Sequence, residues 1–208
     1  MASPNLITIS RNGRSLDCAI ASISLPGEEI SGDLHVTLET EQGALVGVID
    51  GLGHGVEAAR ASEYALSVLK YYRNDSLFSL IKKCHEELRR TRGIVLALAS
   101  MNFKEDTMTW VSVGNVEGIL VRMNSNDQPN IERVLQRGGV VGFKLPPIHA
   151  SMISIVPGDI LVLASDGVKP QFVGDIKRKE PVDKIAEEIG ERYRRGTDDA
   201  IVLAGKYR

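Results

Sequence analysis

Two runs of apolar residues in this chain end directly in the dipeptide Asp-Gly. The first ends at Asp50-Gly51 and the second at Asp166-Gly167. Asp-Gly is a common hairpin turn, but a hairpin needs a second alternating strand straight after it. Leu-Gly-His-Gly and a helical pattern follow the first dipeptide, and Val-Lys-Pro-Gln follows the second. This weakens the hairpin explanation and favours aspartates placed for function at the ends of two buried strands.

A third acidic point, Asp198-Asp199, lies just before the last strand pattern, at residues 201–204. If that strand runs antiparallel to those ending at Asp50 and Asp166, its start lies beside their ends and three carboxylates meet at one sheet edge. Clustered carboxylates repel one another unless cations neutralise them. Oxygen ligands of this kind suit Mg²⁺ or Mn²⁺ better than zinc. The pattern therefore predicts a divalent-metal site that supports hydrolysis.

The rest of the chain shows many strand patterns and three helical ones. Helical spacing occurs at residues 56–72, 76–92 and 182–193, and Gly93 is suited to end the second helix. Because most strands follow one another without a helix between them, the sheets are predicted to be mostly antiparallel. The strand patterns cover residues 6–49 as a meander, and then 94–103, 108–113, 118–123, 152–155, 160–164 and 201–204.

Length and composition restrict the number of domains, the partners and the cellular compartment that can be expected. The 208 residues are predicted to form one domain, residues 1–208. The formal net charge of -2 supplies no broad basic field, so no nucleic-acid partner is expected. Cys18 and Cys84 are isolated, which fits a reducing cytoplasm better than a disulfide scaffold. Without a signal peptide or a spanning apolar run, no membrane association is expected.

Five short motifs, in this order, resemble those of the metal-dependent protein phosphatase (PPM) family. The resemblance is to its bacterial SpoIIE/RsbU-like branch, and within that branch to the RsbX-like phosphoserine phosphatases of the stressosome. It extends over nearly the whole chain. The motifs are Ile-Ser-Gly-Asp at 30–33, Val-Ile-Asp-Gly-Leu-Gly-His-Gly at 48–55, Gly-Asn at 114–115, Ala-Ser-Asp-Gly-Val at 164–168 and Gly-Thr-Asp-Asp-Ala at 196–200.

The resemblance implies an α/β sandwich (α-β-β-α) of two mostly antiparallel sheets with helices on the outer faces. It also implies two metal ions, Mn²⁺ or Mg²⁺. Asp50 would bridge both ions, the carbonyl of Gly51 would bind one, and Asp166 and Asp198 would hold the other. Asp33 would act through a metal-bound water. A metal-activated hydroxide would then attack the phosphate in line.

The implied function is a serine/threonine phosphoprotein phosphatase that gives negative feedback in bacterial stress signalling. Its partners would be phosphorylated stressosome or anti-sigma-antagonist (STAS-type) proteins. Members of the branch with other roles carry regulatory segments ahead of the phosphatase, and none is expected here. The alternative is a catalytically weak or inactive scaffold that binds the same partners. The complete set of aspartates argues against that alternative.

The chain departs from the family pattern at two places. Leu52 follows the first Asp-Gly where many members have a histidine that is proposed as the general acid, so His54 becomes the catalytic candidate beside Asp50. A lone histidine is more often structural or merely exposed. Lys-Pro-Gln at residues 169–171 occupies the stretch where some members add an acidic ligand, which makes a third metal doubtful.

Two surface features are candidates for docking a partner. One is the polar loop at residues 124–131, and the other is the basic run that includes Lys82, Arg89 and Arg90. A basic run on a helix is usually only a solvated face, and that interpretation stays open.

Overall fold

A computed structural model describes residues 4–123 and 130–208. Over these ranges the chain forms twelve β-strands and three α-helices. The helices are α1 (Val56–Tyr71), α2 (Leu77–Glu87) and α3 (Val182–Tyr193), with short 3₁₀ turns at Leu88–Arg90 and Pro170–Asp175. The strands are β1 (Asn5–Arg11), β2 (Arg14–Ile23), β3 (Asp33–Glu39), β4 (Gly43–Gly51), β5 (Ile94–Asn102), β6 (Thr107–Val113), β7 (Glu117–Val121), β8 (Ile131–Arg133), β9 (Gln136–Arg137), β10 (Ser151–Ser154), β11 (Ile160–Ala164) and β12 (Ala200–Tyr207).

The strands form two sheets that pack face to face. The first sheet has the order β1-β2-β12-β11-β7-β8, and the second has the order β10-β6-β5-β4-β3. The short strand β9 joins the second sheet by pairing in parallel with β6, whereas the other strand pairs are antiparallel. The prediction of mostly antiparallel sheets is therefore confirmed.

Strands β4 and β11 are buried on both faces, which explains why their sequences are apolar without alternation. In β4, Val46 faces the core between the sheets and Leu45 faces the cluster made with α1 and α2. In β11, Leu163 faces the inter-sheet core and Val162 faces the cluster made with α3. Helices thus cover both outer faces, as the α-β-β-α arrangement requires.

The second helix ends earlier than its sequence pattern predicts. Ser76 caps its first turn by accepting a hydrogen bond from the backbone N–H of Ser79. The α-helix stops at Glu87 and the chain continues as a 3₁₀ turn to Arg90, so the predicted end at residue 92 is wrong. Gly93 has a φ of 81°, the left-handed conformation that favours glycine at this kind of ending.

The expected position of the closing strand is correct for the strand that leads to Asp166 and wrong for the strand that carries Asp50. The closing strand β12 pairs with β11 and β2, and β4 lies in the other sheet. Asp50 and Asp166 therefore approach each other across the sandwich and not along one sheet.

The predicted docking loop at 124–131 falls mostly outside the described residues. Among the helices that the structure describes, none is both long and apolar enough to cross a membrane.

Candidate metal centre

The antiparallel pairing of β3 and β4 places two aspartates side by side. Asp33, at the start of β3, is the direct cross-strand partner of Asp50, near the end of β4. Asp33 is only 4% exposed, and Asp50 is partly buried. The backbone N–H of Gly51 donates to the carbonyl oxygen of Gly32 at 3.2 Å, which extends the pairing beyond the strand ends. The second sheet thus supplies two adjacent carboxylates.

The first sheet supplies the segment that carries Asp166. Ser165, which lies between the end of β11 and Asp166, is buried. Its hydroxyl donates to Oδ2 of Asp33 at 2.6 Å and accepts from the backbone N–H of Ile201 at 3.0 Å. Ser165 therefore joins the two sheets at the acidic cluster, a role that the sequence analysis did not assign to it.

Of the two adjacent aspartates before β12, Asp199 has a structural role, because its carboxylate binds backbone groups of the protein. Its carboxylate accepts hydrogen bonds from the backbone N–H groups of Gly32 at 2.6 Å and Leu25 at 2.8 Å. It is buried, whereas Asp198 is partly exposed and lines an open cleft. Asp199 was not among the predicted site residues, although the acidic pair in the motif gave a signal for it.

A cleft of about 450 Å³ opens beside Asp166 and Asp198. Nδ2 of Asn115 donates to Oδ2 of Asp166 at 2.6 Å. Nε of Arg195 donates to the backbone oxygen of Asp166 at 2.7 Å. The cleft is lined by Asn115, Glu117, Gln136, Ser165, Asp166, Val168, Pro170, Arg195, Thr197 and Asp198.

The aspartates destabilise one another's charged forms. Burial, with a smaller contribution from Asp33 and the other carboxylates, raises the pKa of Asp50 to about 9. Burial also raises the pKa of Asp33 to about 7, although the hydrogen bond from Ser165 opposes this. The pKa of Asp166 is raised by burial and by Asp198. A nearby cation would reverse these shifts, because it stabilises the carboxylates that now repel one another.

The donor set fits a hard divalent ion that keeps much of its water. Across residues 4–123 and 130–208, no three Asp, Glu, His or Cys side chains form a group that could by itself hold a metal ion. Mg²⁺ commonly binds through one or two carboxylates and retains several waters, so it does not need such a cage. Asp33, Asp50, Asp166 and Asp198 thus fit as oxygen ligands, direct or through water.

Gly51 has no room for a side chain. A Cβ atom placed there would collide with the backbone carbonyl of Ala58, in the first turns of α1. The close packing of α1 on β4 therefore explains this glycine, in addition to any metal contact of its carbonyl. Gly51 as a metal ligand stays a prediction.

His54 lies on the exposed loop between β4 and α1. Its Nδ1 atom is 2.6 Å from Oε1 of Glu28, and its side chain is 59% exposed. Glu28 belongs to the connection between β2 and β3, which reaches across to this loop. Glu28 was not predicted, because it is remote from His54 in the sequence. The contact orients the imidazole and leaves Nε2 without a described hydrogen-bond partner.

Sequence comparisons identify relatives over most of the chain. A model of the family "Stage II sporulation protein E (SpoIIE)" matches residues 40–208. The phosphoserine phosphatase RsbX of Bacillus subtilis (strain 168) is 22% identical over 204 residues, covering 97% of this chain and 99% of RsbX. The phosphoserine phosphatase RsbU of the same organism is 23% identical over 160 residues, covering 72% of this chain and 46% of RsbU.

Solved structures share the fold. A crystal structure of RsbX in complex with magnesium has a TM-score of 0.85 and 21% identity, covering 98% of this chain and 100% of that one. A structure described with the bacterial stressosome, as a modular system adapted to control secondary messenger signalling, has a TM-score of 0.82 and 28% identity. It covers 92% of this chain and 99% of its own. The predicted α/β sandwich is confirmed by these matches.

Proposed function

The chain belongs to the Stage II sporulation protein E (SpoIIE) family, and on that premise we propose that it hydrolyses phosphoserine or phosphothreonine in proteins with the help of divalent metal ions. The family resemblance drawn from the motifs is confirmed. The predicted class of enzyme, a phosphoprotein phosphatase, is confirmed as well, because the homologues RsbX and RsbU are named phosphoserine phosphatases.

The observation that supports this function is the meeting of Asp33 and Asp50 from one sheet with Asp166 and Asp198 from the other. Burial and, to a smaller extent, the neighbouring carboxylates raise the pKa of Asp50, and the partly exposed Asp166 and Asp198 border an open cleft. A scaffold that only bound partners would gain nothing from burying several carboxylates that repel one another. Among the described residues, no contact favours an inactive scaffold over an enzyme.

Two ions, Mn²⁺ or Mg²⁺, would neutralise the phosphate oxygens and lower the pKa of a water for in-line attack. Asp50 would contact both ions, and the carbonyl of Gly51 would contact one of them. Asp166 and Asp198 would hold the other ion at the cleft. Asp33, the buried cross-strand neighbour of Asp50, would act through water, while Ser165 and Asn115 fix the orientations of Asp33 and Asp166.

The proposed substrates are phosphorylated stressosome or STAS-type proteins, with the enzyme acting as a feedback phosphatase in the cytoplasm. Support comes from the relative RsbX, which matches nearly end to end, and from the structural match described with the stressosome. A shallow metal site at the end of a sandwich can accept a phosphorylated side chain from a protein surface. Cys18 and Cys84 are buried, and burial raises the pKa of each thiol to about 12, so neither is suited to act as a nucleophile.

The test is hydrolysis of p-nitrophenyl phosphate and of a purified serine-phosphorylated STAS-type protein, each with Mn²⁺, with Mg²⁺ and with excess EDTA. We expect both activities to require metal and to be lost in the Asp50→Asn variant. Full activity in EDTA, or in folded Asp50→Asn, would rule out the metal-dependent mechanism. Rapid hydrolysis of phosphotyrosine peptides or nucleotides without release from the phosphoprotein would rule out the substrate class. Absence of any hydrolysis, with the partner still bound, would support the scaffold alternative.

A further inference from the structure

The surface beside the acidic cluster carries an exposed aromatic ring and three arginines. Phe143 is 82% exposed, more than any other large apolar side chain that the structure describes. Arg89, Arg90 and Arg92 are exposed too. Within residues 4–123 and 130–208, none of their side chains forms a hydrogen bond or ion pair. We call residues 88–92 and 140–143 together the Arg/Phe surface.

The two segments of the Arg/Phe surface are packed firmly against each other. The backbone N–H of Gly142 donates to Nδ1 of His85 at 3.0 Å. A Cβ on Gly142 would lie 2.9 Å from Cβ of Leu88, and one on Gly93 would lie 2.6 Å from Cγ1 of Val140. Both glycines have positive φ angles, so the close approach and the backbone conformation each require glycine. Phe143 is therefore presented by a fixed part of the fold.

The Arg/Phe surface begins at the loop that follows the first metal-site dipeptide. The backbone N–H of Leu52 donates to the carbonyl oxygen of Gly93 at 3.2 Å. A Cβ on Gly53 would lie 2.9 Å from Nη1 of Arg92. The Arg92 end of the Arg/Phe surface therefore adjoins the loop that leaves the acidic cluster.

Only part of the basic run noted in the sequence is free to bind a partner. Lys82 lies over the ring of Phe78, with Nζ 4.4 Å from its centroid. Lys83 forms an ion pair with Asp75 at 2.7 Å and lies over the ring of Tyr72. Lys82 thus contacts a residue of α2, and Lys83 contacts the segment between α1 and α2. Within the basic run, Arg89, Arg90 and Arg92 therefore have neither an ion pair nor a ring contact among the described residues.

We propose that the Arg/Phe surface docks the phosphoprotein substrate, by binding an acidic patch with an apolar spot close to the phosphorylated residue. This inference rests on the proposed function. Arginine and aromatic side chains are enriched at the energetic centres of protein interfaces. Three uncompensated positive charges attract a negatively charged phosphoprotein and orient it as it approaches. The metal site binds only the phosphoryl group of the substrate. The Arg/Phe surface therefore supplies the selectivity for the protein that carries the phosphoryl group.

The experiment compares kcat/KM on two substrates for Phe143→Ala and for the double variant Arg89→Glu/Arg90→Glu. The substrates are a serine-phosphorylated STAS-type protein of the source organism and p-nitrophenyl phosphate. Matched controls are Tyr71→Ala, which removes a ring that is 79% exposed at the far end of α1, and Lys104→Glu, in the turn between β5 and β6. We expect each surface variant to lose at least about tenfold on the phosphoprotein. Activity on p-nitrophenyl phosphate should be unchanged, and both controls should resemble the wild type.

Equal losses on both substrates, or no loss on the phosphoprotein, would overturn the docking inference while leaving the proposed function in place. A wild-type enzyme that hydrolyses p-nitrophenyl phosphate but not the phosphoprotein would refute the proposed substrate, and with it the occupant named here. A concentration-dependent dimer that Phe143→Ala abolishes would show a second copy as the occupant and also reject docking. Added salt should lower kcat/KM on the phosphoprotein more for the wild type than for the double arginine variant.

Discussion

The Ser165 hydroxyl donates a hydrogen bond to Oδ2 of Asp33 at 2.6 Å, and this bond links the two sheets inside the acidic cluster. Ser165 directly follows the strand that leads to Asp166, while Asp33 is the first residue of the strand that pairs with the strand of Asp50. One buried hydroxyl thus sets the position of the carboxylates from one sheet relative to those from the other.

Replacing Ser165 with alanine should destabilise the protein. The change leaves the Asp33 carboxyl and the backbone N–H of Ile201 without a buried partner, which costs about 1 to 3 kcal/mol in the free energy of unfolding. It should also raise the pKa of Asp33 further, because the lost bond lowers it now. Urea denaturation gives the first quantity. Ser67→Ala, which removes an exposed hydroxyl, is the control, and equal stability of the two variants would contradict the structural role of Ser165.

The Asp50→Asn variant should be inactive and yet more stable than the wild type in EDTA at neutral pH. The pKa of Asp50 rises from an ordinary 3.8 to about 9 on folding, so between these pH values the folded protein keeps a proton that the unfolded chain has released. The free energy of unfolding of the metal-free protein therefore falls as pH rises through that window, and Asp33 acts in the same direction.

Asparagine at position 50 removes the largest of these titrations. Thermal midpoints in EDTA should then fall less steeply with pH in the variant than in the wild type. Parallel curves would mean that folding does not raise the pKa of Asp50 in the metal-free protein.

His54 should assist departure of the serine oxygen, because Leu52 has no proton to donate. General acid catalysis contributes roughly 100-fold to 10,000-fold, so His54→Ala should lose that order of activity on a phosphoprotein. Loss on p-nitrophenyl phosphate should be small, since that leaving group needs little protonation. Glu28→Gln should give an intermediate loss, because it weakens the contact that orients the ring. Unchanged turnover of the phosphoprotein by His54→Ala would exclude this role.

Asn115 should tune the affinity for metal through Asp166. Its amide donates to Oδ2 of Asp166 at 2.6 Å and lowers the pKa of that carboxyl. Loss of a partner that orients a metal ligand typically costs about 10-fold to 100-fold in metal affinity. We expect Asn115→Ala to raise the Mn²⁺ concentration that gives half-maximal hydrolysis of p-nitrophenyl phosphate by that order. The control is Asn102→Ala, which removes an amide that accepts hydrogen bonds from the turn after β5. Equal metal requirements in the two variants would contradict the prediction.

The strand ends that carry aspartates could be predicted from the sequence, because an apolar run followed by Asp-Gly is a local pattern. The bounds of β11 and α3 were predicted to the residue for the same reason, since both elements have strong periodicity and clear ends. The pairing of the strands could not be predicted in the same way. Whether β12 adjoins β4 depends on which sheet each strand joins, and no local pattern encodes that choice.

The residues that support the site were missed because their roles depend on distant contacts. Asp199 binds the backbone N–H of Leu25, which is 174 positions away in the sequence. Ser165 binds Asp33 over 132 positions, and Glu28 meets His54 over 26. A serine or glutamate in isolation has no pattern that reveals such a partner. The aspartates could be proposed from the sequence because their residue type restricts their chemistry wherever they lie.

Because the acidic residues come from both sheets, a metal ion bound among them would act as a cross-link over the open end of the sandwich. Separation of the sheets would then require release of the ion, so bound metal should slow unfolding much more than it speeds folding. Rates of unfolding in concentrated denaturant would depend on the metal concentration, and a chelator would shorten the lifetime of the folded protein. The metal site proposed for hydrolysis would thereby also hold the two sheets together and slow the unfolding of the protein.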